Sequence, residues 1–246
     1  MSYQEGHCVV GNRVGSIRRS AAIVALTSSV CAALYRDTVV FGGPLHPYRE
    51  AAPVCVGLTT YDHLSGTVLG HLKEEATRIW IRHGIDLTWK QPVPATCPTI
   101  VPIIFDEREL LKLAGGKIDK ALARTVFLGR SQTIYVSVPR AFDMLSQVNQ
   151  RNRVLNSGER DYNGGTLLGR VVAHELGHVL LTTTEHSKNG LMRPVFGFQD
   201  VLSADEKTTA LSSIETNRLA MRFSLVPFDE PSRTLPSGLA RTQPSK

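Results

Sequence analysis

The stretch Thr166-Leu167-Leu168-Gly169-Arg170-Val171-Val172-Ala173-His174-Glu175-Leu176-Gly177-His178-Val179-Leu180 decides how this chain is read. Apolar residues fill nearly every position around the His-Glu-x-x-His core, which predicts a buried helix resuming at Thr166, after Asn163-Gly164-Gly165. Residues four apart on a helix project from one face, so His174 and His178 can reach the same metal ion. Glu175 leans past that face toward the position where water would sit. The competing reading is a core helix with two satisfied histidines and a paired glutamate. Burying three such groups in so apolar a helix is costly without a partner, and a metal is the economical one.

A catalytic zinc takes three protein ligands and keeps one open position. His186 is the candidate third ligand. On a continuing helix it would lie about 12 Å beyond His178, so the chain must break and turn back. Thr182-Thr183-Thr184, three β-branched residues in a row, is the expected place. Glu185 is the rival ligand, with Glu206 and Glu215 further along.

Working outward, Val54–Leu58 reads as a strand after Pro53, and Leu64–His83 as an amphipathic helix ending at Gly84. Ile85–Trp89 and Thr99–Phe105 read as strands, with Pro102 arguing for an edge or a bulge. Leu110–Arg124 is expected to contain a helix interrupted at Gly115-Gly116. Thr133–Val138 is a strongly β-prone strand, and Gln147–Gly165 reads as a loop. Ser203-Ala204-Asp205-Glu206 matches a capping box opening a helix through Ala210, Leu211, Ile214, Arg218 and Leu219. The order implies an α+β fold, an open sheet with helices packed on it.

The ends are read separately. A basic flank at Arg18-Arg19 precedes the apolar stretch Ala21–Leu34, only about 21 Å long as a helix against a hydrocarbon core of about 30 Å. Small residues at Val30-Cys31-Ala32-Ala33 complete the pattern of a signal peptide over 1–33. A linker or arm (34–53), a catalytic domain (54–225) and a flexible tail (226–246) follow. The expected location is secreted or periplasmic, or membrane-anchored if the leader is not cleaved. Of the four cysteines, Cys55 and Cys97 remain in that mature chain, either bridged or as two separate thiols. A net charge of +6 over 246 residues, with no run of five basic residues, gives no nucleic-acid footprint. A composition 42% hydrophobic and 20% charged excludes wholesale disorder.

The motif His174-Glu175-Leu176-Gly177-His178, then His186-Ser187, then Gly190-Leu191-Met192-Arg193-Pro194, resembles the metzincin metallopeptidases. It is most similar to their matrixin branch and to short exported bacterial zincin-like proteins. The family has a turn glycine where this chain has Leu181 and a third histidine where it has Thr184, so His186 comes two residues late. The resemblance implies a metzincin-like fold: a twisted mixed sheet, a long helix, an active-site helix, a Met-turn at Met192 and a C-terminal helix. It implies Zn2+ held by His174, His178 and His186, with Glu175 as the catalytic base in hydrolysis of a peptide or protein substrate by a monomeric enzyme. Thr133–Val138 is then the expected edge strand for that peptide, unless it is an interior strand. Arg193 is a candidate oxyanion donor. The alternative function is a non-proteolytic metal-bearing module that holds a partner on its sheet edge.

Overall fold

A computed structural model describes residues 5–9, 48–60, 64–92, 96–113, 121–129, 131–152, 156–195, 203 and 205–227. The leader's apolar stretch and the tail beyond Pro227 lie outside them. Among the described residues no helix is long and apolar enough to cross a membrane.

Strand β2 (Ala52–Thr60) leads through α1 (Gly66–Ile81) to β3 (Ile85–Trp89), which pairs with β2 in parallel. Alternating apolar positions bury Val54, Val56 and Leu58, while Val68, Leu72, Ala76 and Ile79 form the buried stripe of α1. Ser65 caps α1, accepting from the Val68 amide, and Gly84 closes the following turn at φ +77°. Strand β4 (Ile100–Phe105) joins the other side of β2, again in parallel, and a disulfide between Cys55 and Cys97 ties β2 to its approach. The two cysteines are therefore bridged.

Helix α2 (Glu107–Leu113) and the hairpin of β5 (Ala121–Leu128) and β6 (Ser131–Val136) follow. Strand β1 (Glu5–Val9) pairs antiparallel with β5, giving the order β1-β5-β6-β4-β2-β3. The fold is thus α+β, a mixed sheet of β2 to β6 with β1 added at its margin. Helices α3 (Val138–Asn152), α4 (Ser157–Leu181) and α5 (Ser213–Phe223) complete it. Tyr48, buried, bridges to Pro227, so the packed unit extends slightly beyond 54–225 at both ends.

Several elements differ from expectation. The helix expected within Leu110–Arg124 is there as the end of α2, which stops at Leu113 before Gly115-Gly116, but Ala121–Arg124 belong to β5. The strand expected at Thr133–Val138 ends at Val136, and Val138-Pro139 opens α3, where proline's fixed φ suits a first turn. That strand is interior, between β5 and β4, and so is not a free edge. β4 is interior too, and accommodates Pro102 because its pairing with β6 begins only at Ile103. The region 147–165 is largely helical, since α4 starts at Ser157 behind a capping box of Asn156 and Glu159. A second capping box, Ser212 with Glu215, opens α5. The earlier Ser-x-x-Glu match marks only a 3-10 turn, Glu206–Thr209, capped by Asp205.

The long α4 packs on α1 at close range through small residues. A Cβ at Gly165 would sit 2.5 Å from the His71 Cβ and 2.8 Å from the Val68 carbonyl oxygen. One at Gly169 would sit 2.8 Å from the Leu72 carbonyl oxygen. Across the same interface Arg170 donates to Glu75 at 2.6 Å, and it also donates to the Ser203 carbonyl at 2.6 Å. Burial alone would raise the Glu75 carboxyl, but hydrogen bonds from Arg78 and Arg170 outweigh it and hold the group below its ordinary value.

Alanine for Gly165 gains about 1 kcal/mol of helix propensity. It must also force two backbones apart, which costs about 1–3 kcal/mol in a packed interior. Gly165→Ala is therefore expected to lower stability in urea denaturation despite its better propensity. An increase would show that α1 and α4 do not approach this closely.

Candidate metal centre

The site is built on the last three turns of α4. His174, Glu175 and His178 are all fully buried there. Helix α4 ends at Leu181 because Thr182 adopts the left-handed conformation, φ 50° and ψ 50°, which reverses the chain. The freed carbonyls at the helix end find a donor in α5: Arg222 Nη1 reaches the Val179 oxygen at 2.8 Å and the Leu180 oxygen at 3.0 Å, and also Thr182 Oγ1. The break therefore falls in the threonine run, as its three β-branched residues predict.

The returning chain supplies two acceptors. The Thr183 carbonyl receives His178 Nδ1–H at 2.9 Å, and the Leu191 carbonyl receives His174 Nδ1–H at 2.7 Å. A carbonyl oxygen only accepts, so each Nδ1 must carry its proton. In the neutral rings both Nε2 atoms are then acceptors, and they face each other at 3.2 Å. His186, on the return segment, stacks on His174 with ring centroids 5.3 Å apart and meets His178 edge-on at 4.8 Å. One ligating atom from each of the three histidines lies within 4.8 Å of the others, an arrangement that could hold a metal ion.

Further contacts fix the return segment. Ser187 N–H donates to the Met192 carbonyl and Leu191 N–H to the Ala210 carbonyl, each at 2.8 Å. Gly190, at φ +78°, lets the chain pass within 2.2 Å of the Ala210 oxygen as measured from a notional Cβ. Met192 is fully buried, and its sulfur fills the space above Gly177 of α4. Arg193 is half-buried beside it.

The rivals for the third ligand position lie elsewhere. Glu185 is exposed, Glu206 pairs with Arg82, and Glu215 accepts from the Ser212 amide. A residue missed from sequence does meet the site. Thr125 of β5, fully buried, donates to Glu175 Oε2 at 2.6 Å, with the Glu175 carbonyl oxygen at 3.1 Å. The run Thr125-Val126-Phe127-Leu128 ahead of Gly129 was a signal for that strand.

Burial first, and then the neighbouring His178 and His186 imidazoles, push His174 well below its ordinary value of 6.5, and the Leu191 hydrogen bond only partly opposes them. His174 is therefore held neutral, the state a metal ligand requires.

No family model, curated protein or solved structure matches the chain.

Two outcomes follow from this geometry. His186→Ala is expected to weaken zinc binding beyond the about 10–100-fold that loss of a ligand's hydrogen-bond partner costs, whereas Glu185→Ala leaves it nearly unchanged. A chelator competition titration with the opposite ranking would remove His186 from the site. Stability without metal should also depend on pH. Below about pH 6.5 the unfolded chain protonates its histidines, whereas folded His174 resists protonation. Its contribution is thus full above that pH and is lost as pH falls toward the folded value. The thermal midpoint of the metal-stripped chain should drop from pH 7 to pH 5, and less steeply in His174→Asn. An identical slope in the variant would count against a neutral, buried His174.

Proposed function

We propose that the chain is an exported zinc-dependent peptidase of metzincin-like fold. The observation that carries this reading is the facing pair of Nε2 acceptors in a buried site. Two lone pairs 3.2 Å apart repel unless a cation lies between them, and burial disfavours a proton on His174. Two nitrogens each bound tetrahedrally at about 2.0–2.1 Å from zinc would be about 3.3 Å apart, so the donor pair fits zinc. His186 would complete three protein ligands and leave one position open. When bound, zinc supplies Lewis acidity, lowering the pKa of water toward about 7 and polarising a carbonyl.

The chain's own residues do the rest. Glu175 takes the proton from the attacking water and returns it to the leaving amine. The carbonyls of Leu191 and Thr183 orient the two helix imidazoles, and Met192 closes the floor against Gly177. Arg193 is our candidate for stabilising the oxyanion. An extended peptide substrate would lie along the outer edge of β5, which carries Thr125 next to Glu175. In the full chain Glu5–Val9 runs antiparallel along this edge, with Gly6 opposite Thr125, and removal of a leader over 1–33 would vacate it. The Cys55–Cys97 bridge supports an oxidising compartment outside the cytoplasm.

Glu175→Gln keeps the ligands and removes the base. The variant is expected to retain zinc on elemental analysis while losing about 10²–10⁴-fold in hydrolysis of a casein-type substrate. Turnover near wild type would sink the peptidase mechanism, and so would a wild-type chain spanning 34–246 that holds zinc but cleaves nothing.

A further inference from the structure

We propose that Thr125 is a positioning residue for the base, an inference that rests on the peptidase reading of Glu175. Strand β5 is buried from Ala121 to Val126, and a hydroxyl is costly in such a setting unless it is bonded. The Thr125 hydroxyl carries one proton and has two acceptors on a single residue. Oε2 of Glu175 at 2.6 Å is the nearer, and the Glu175 carbonyl oxygen at 3.1 Å is the other. A carboxylate is the stronger acceptor, so the proton points mainly to Oε2.

The consequence for the base is geometric. Glu175 has three side-chain torsions, and a bond to one carboxylate oxygen sets the plane of the group and the direction of the other. The neighbouring histidines are aimed by carbonyls of the return segment, whereas Glu175 is aimed by the sheet. Thr125 thus joins the sheet to the active-site helix at the residue that must meet the substrate's water. Gly6, opposite Thr125 in the β1–β5 register, shows that a strand on the outer edge passes the same point.

Valine matches threonine in shape and lacks the hydroxyl, while serine keeps it. Misplacing a reacting group by about 1 Å costs about 10²-fold, so Thr125→Val is expected to lower kcat by about 10- to 100-fold. KM and zinc content should be unchanged, and Thr125→Ser should recover kcat to within about 3-fold of wild type. Equal kcat for Thr125→Val and wild type would overturn the inference, as would a serine variant as impaired as the valine one.

A double-mutant cycle of thermal midpoints reads the contact without activity. Thr125→Val and Glu175→Ala should be non-additive in the full chain, and additivity would overturn the inference. A wild-type protein that hydrolyses no peptide while the cycle stays non-additive would instead overturn the peptidase reading. The role given to Thr125 would fall with it, though the contact itself would stand.

Discussion

The structure depends on where two imidazole protons go. Once Leu191 and Thr183 accept the Nδ1 protons of His174 and His178, two acceptor nitrogens are left facing each other in a dry interior. Both carbonyls come from the chain that returns after α4, so the site cannot be preorganised by the helix alone. This explains why so many contacts converge on residues 182–192. The left-handed Thr182, the Arg222 bonds to the last carbonyls of α4 and the Leu191–Ala210 hydrogen bond all fix that segment. Loosening any of them would first be felt at the direction of a lone pair.

A second constraint comes from α1. A helix carrying two histidines, a glutamate and an arginine in its buried face must exclude water closely to make those groups useful. The glycines at 165 and 169 let α1 approach until backbone nearly meets backbone, and Trp80 of α1 donates to the Ala173 carbonyl at 3.1 Å just before His174. Arg170 would be expensive there alone, and Glu75 supplies the matching charge from α1. The same helix pair thus seals one side of the site and compensates its buried cation.

What could be read from sequence was local, and what could not was settled by pairing across the chain. The spacing of His174 and His178 is a property of one helix, and the need to bring His186 back follows from helix rise alone. The stripe of α1 and the strand β3 were legible for the same reason. Ala121-Leu122-Ala123-Arg124, by contrast, are strong helix formers, and antiparallel pairing with β6 and β1 makes them a strand. Thr125 was lost with them. Asn163-Gly164-Gly165 reads as a helix start, yet α4 runs straight through it because Phe142 and α1 occupy the space the missing side chains leave. Two Ser-x-x-Glu boxes within ten residues look alike in sequence. Only Ser212 starts a helix, because the extended Ala210 uses its carbonyl to hold Leu191.

The turn that brings His186 back to the site has a structural cost and a structural remedy. A glycine at the end of a helix makes a left-handed turn free of strain. In this chain the left-handed residue is Thr182, and a β-branched residue there costs about 1–3 kcal/mol. Arg222 answers that cost directly: its guanidinium bonds the two carbonyls beside the turn and the Thr182 hydroxyl, so the side chain that makes the turn difficult also helps hold it. Burial holds Arg222 below its ordinary value, yet an arginine so far above neutrality stays charged and keeps donating. The path from His178 to His186 then closes on the cluster of three imidazoles. A left-handed turn at a threonine is therefore compatible with a closed cluster of three imidazoles, because α5 stabilises that turn.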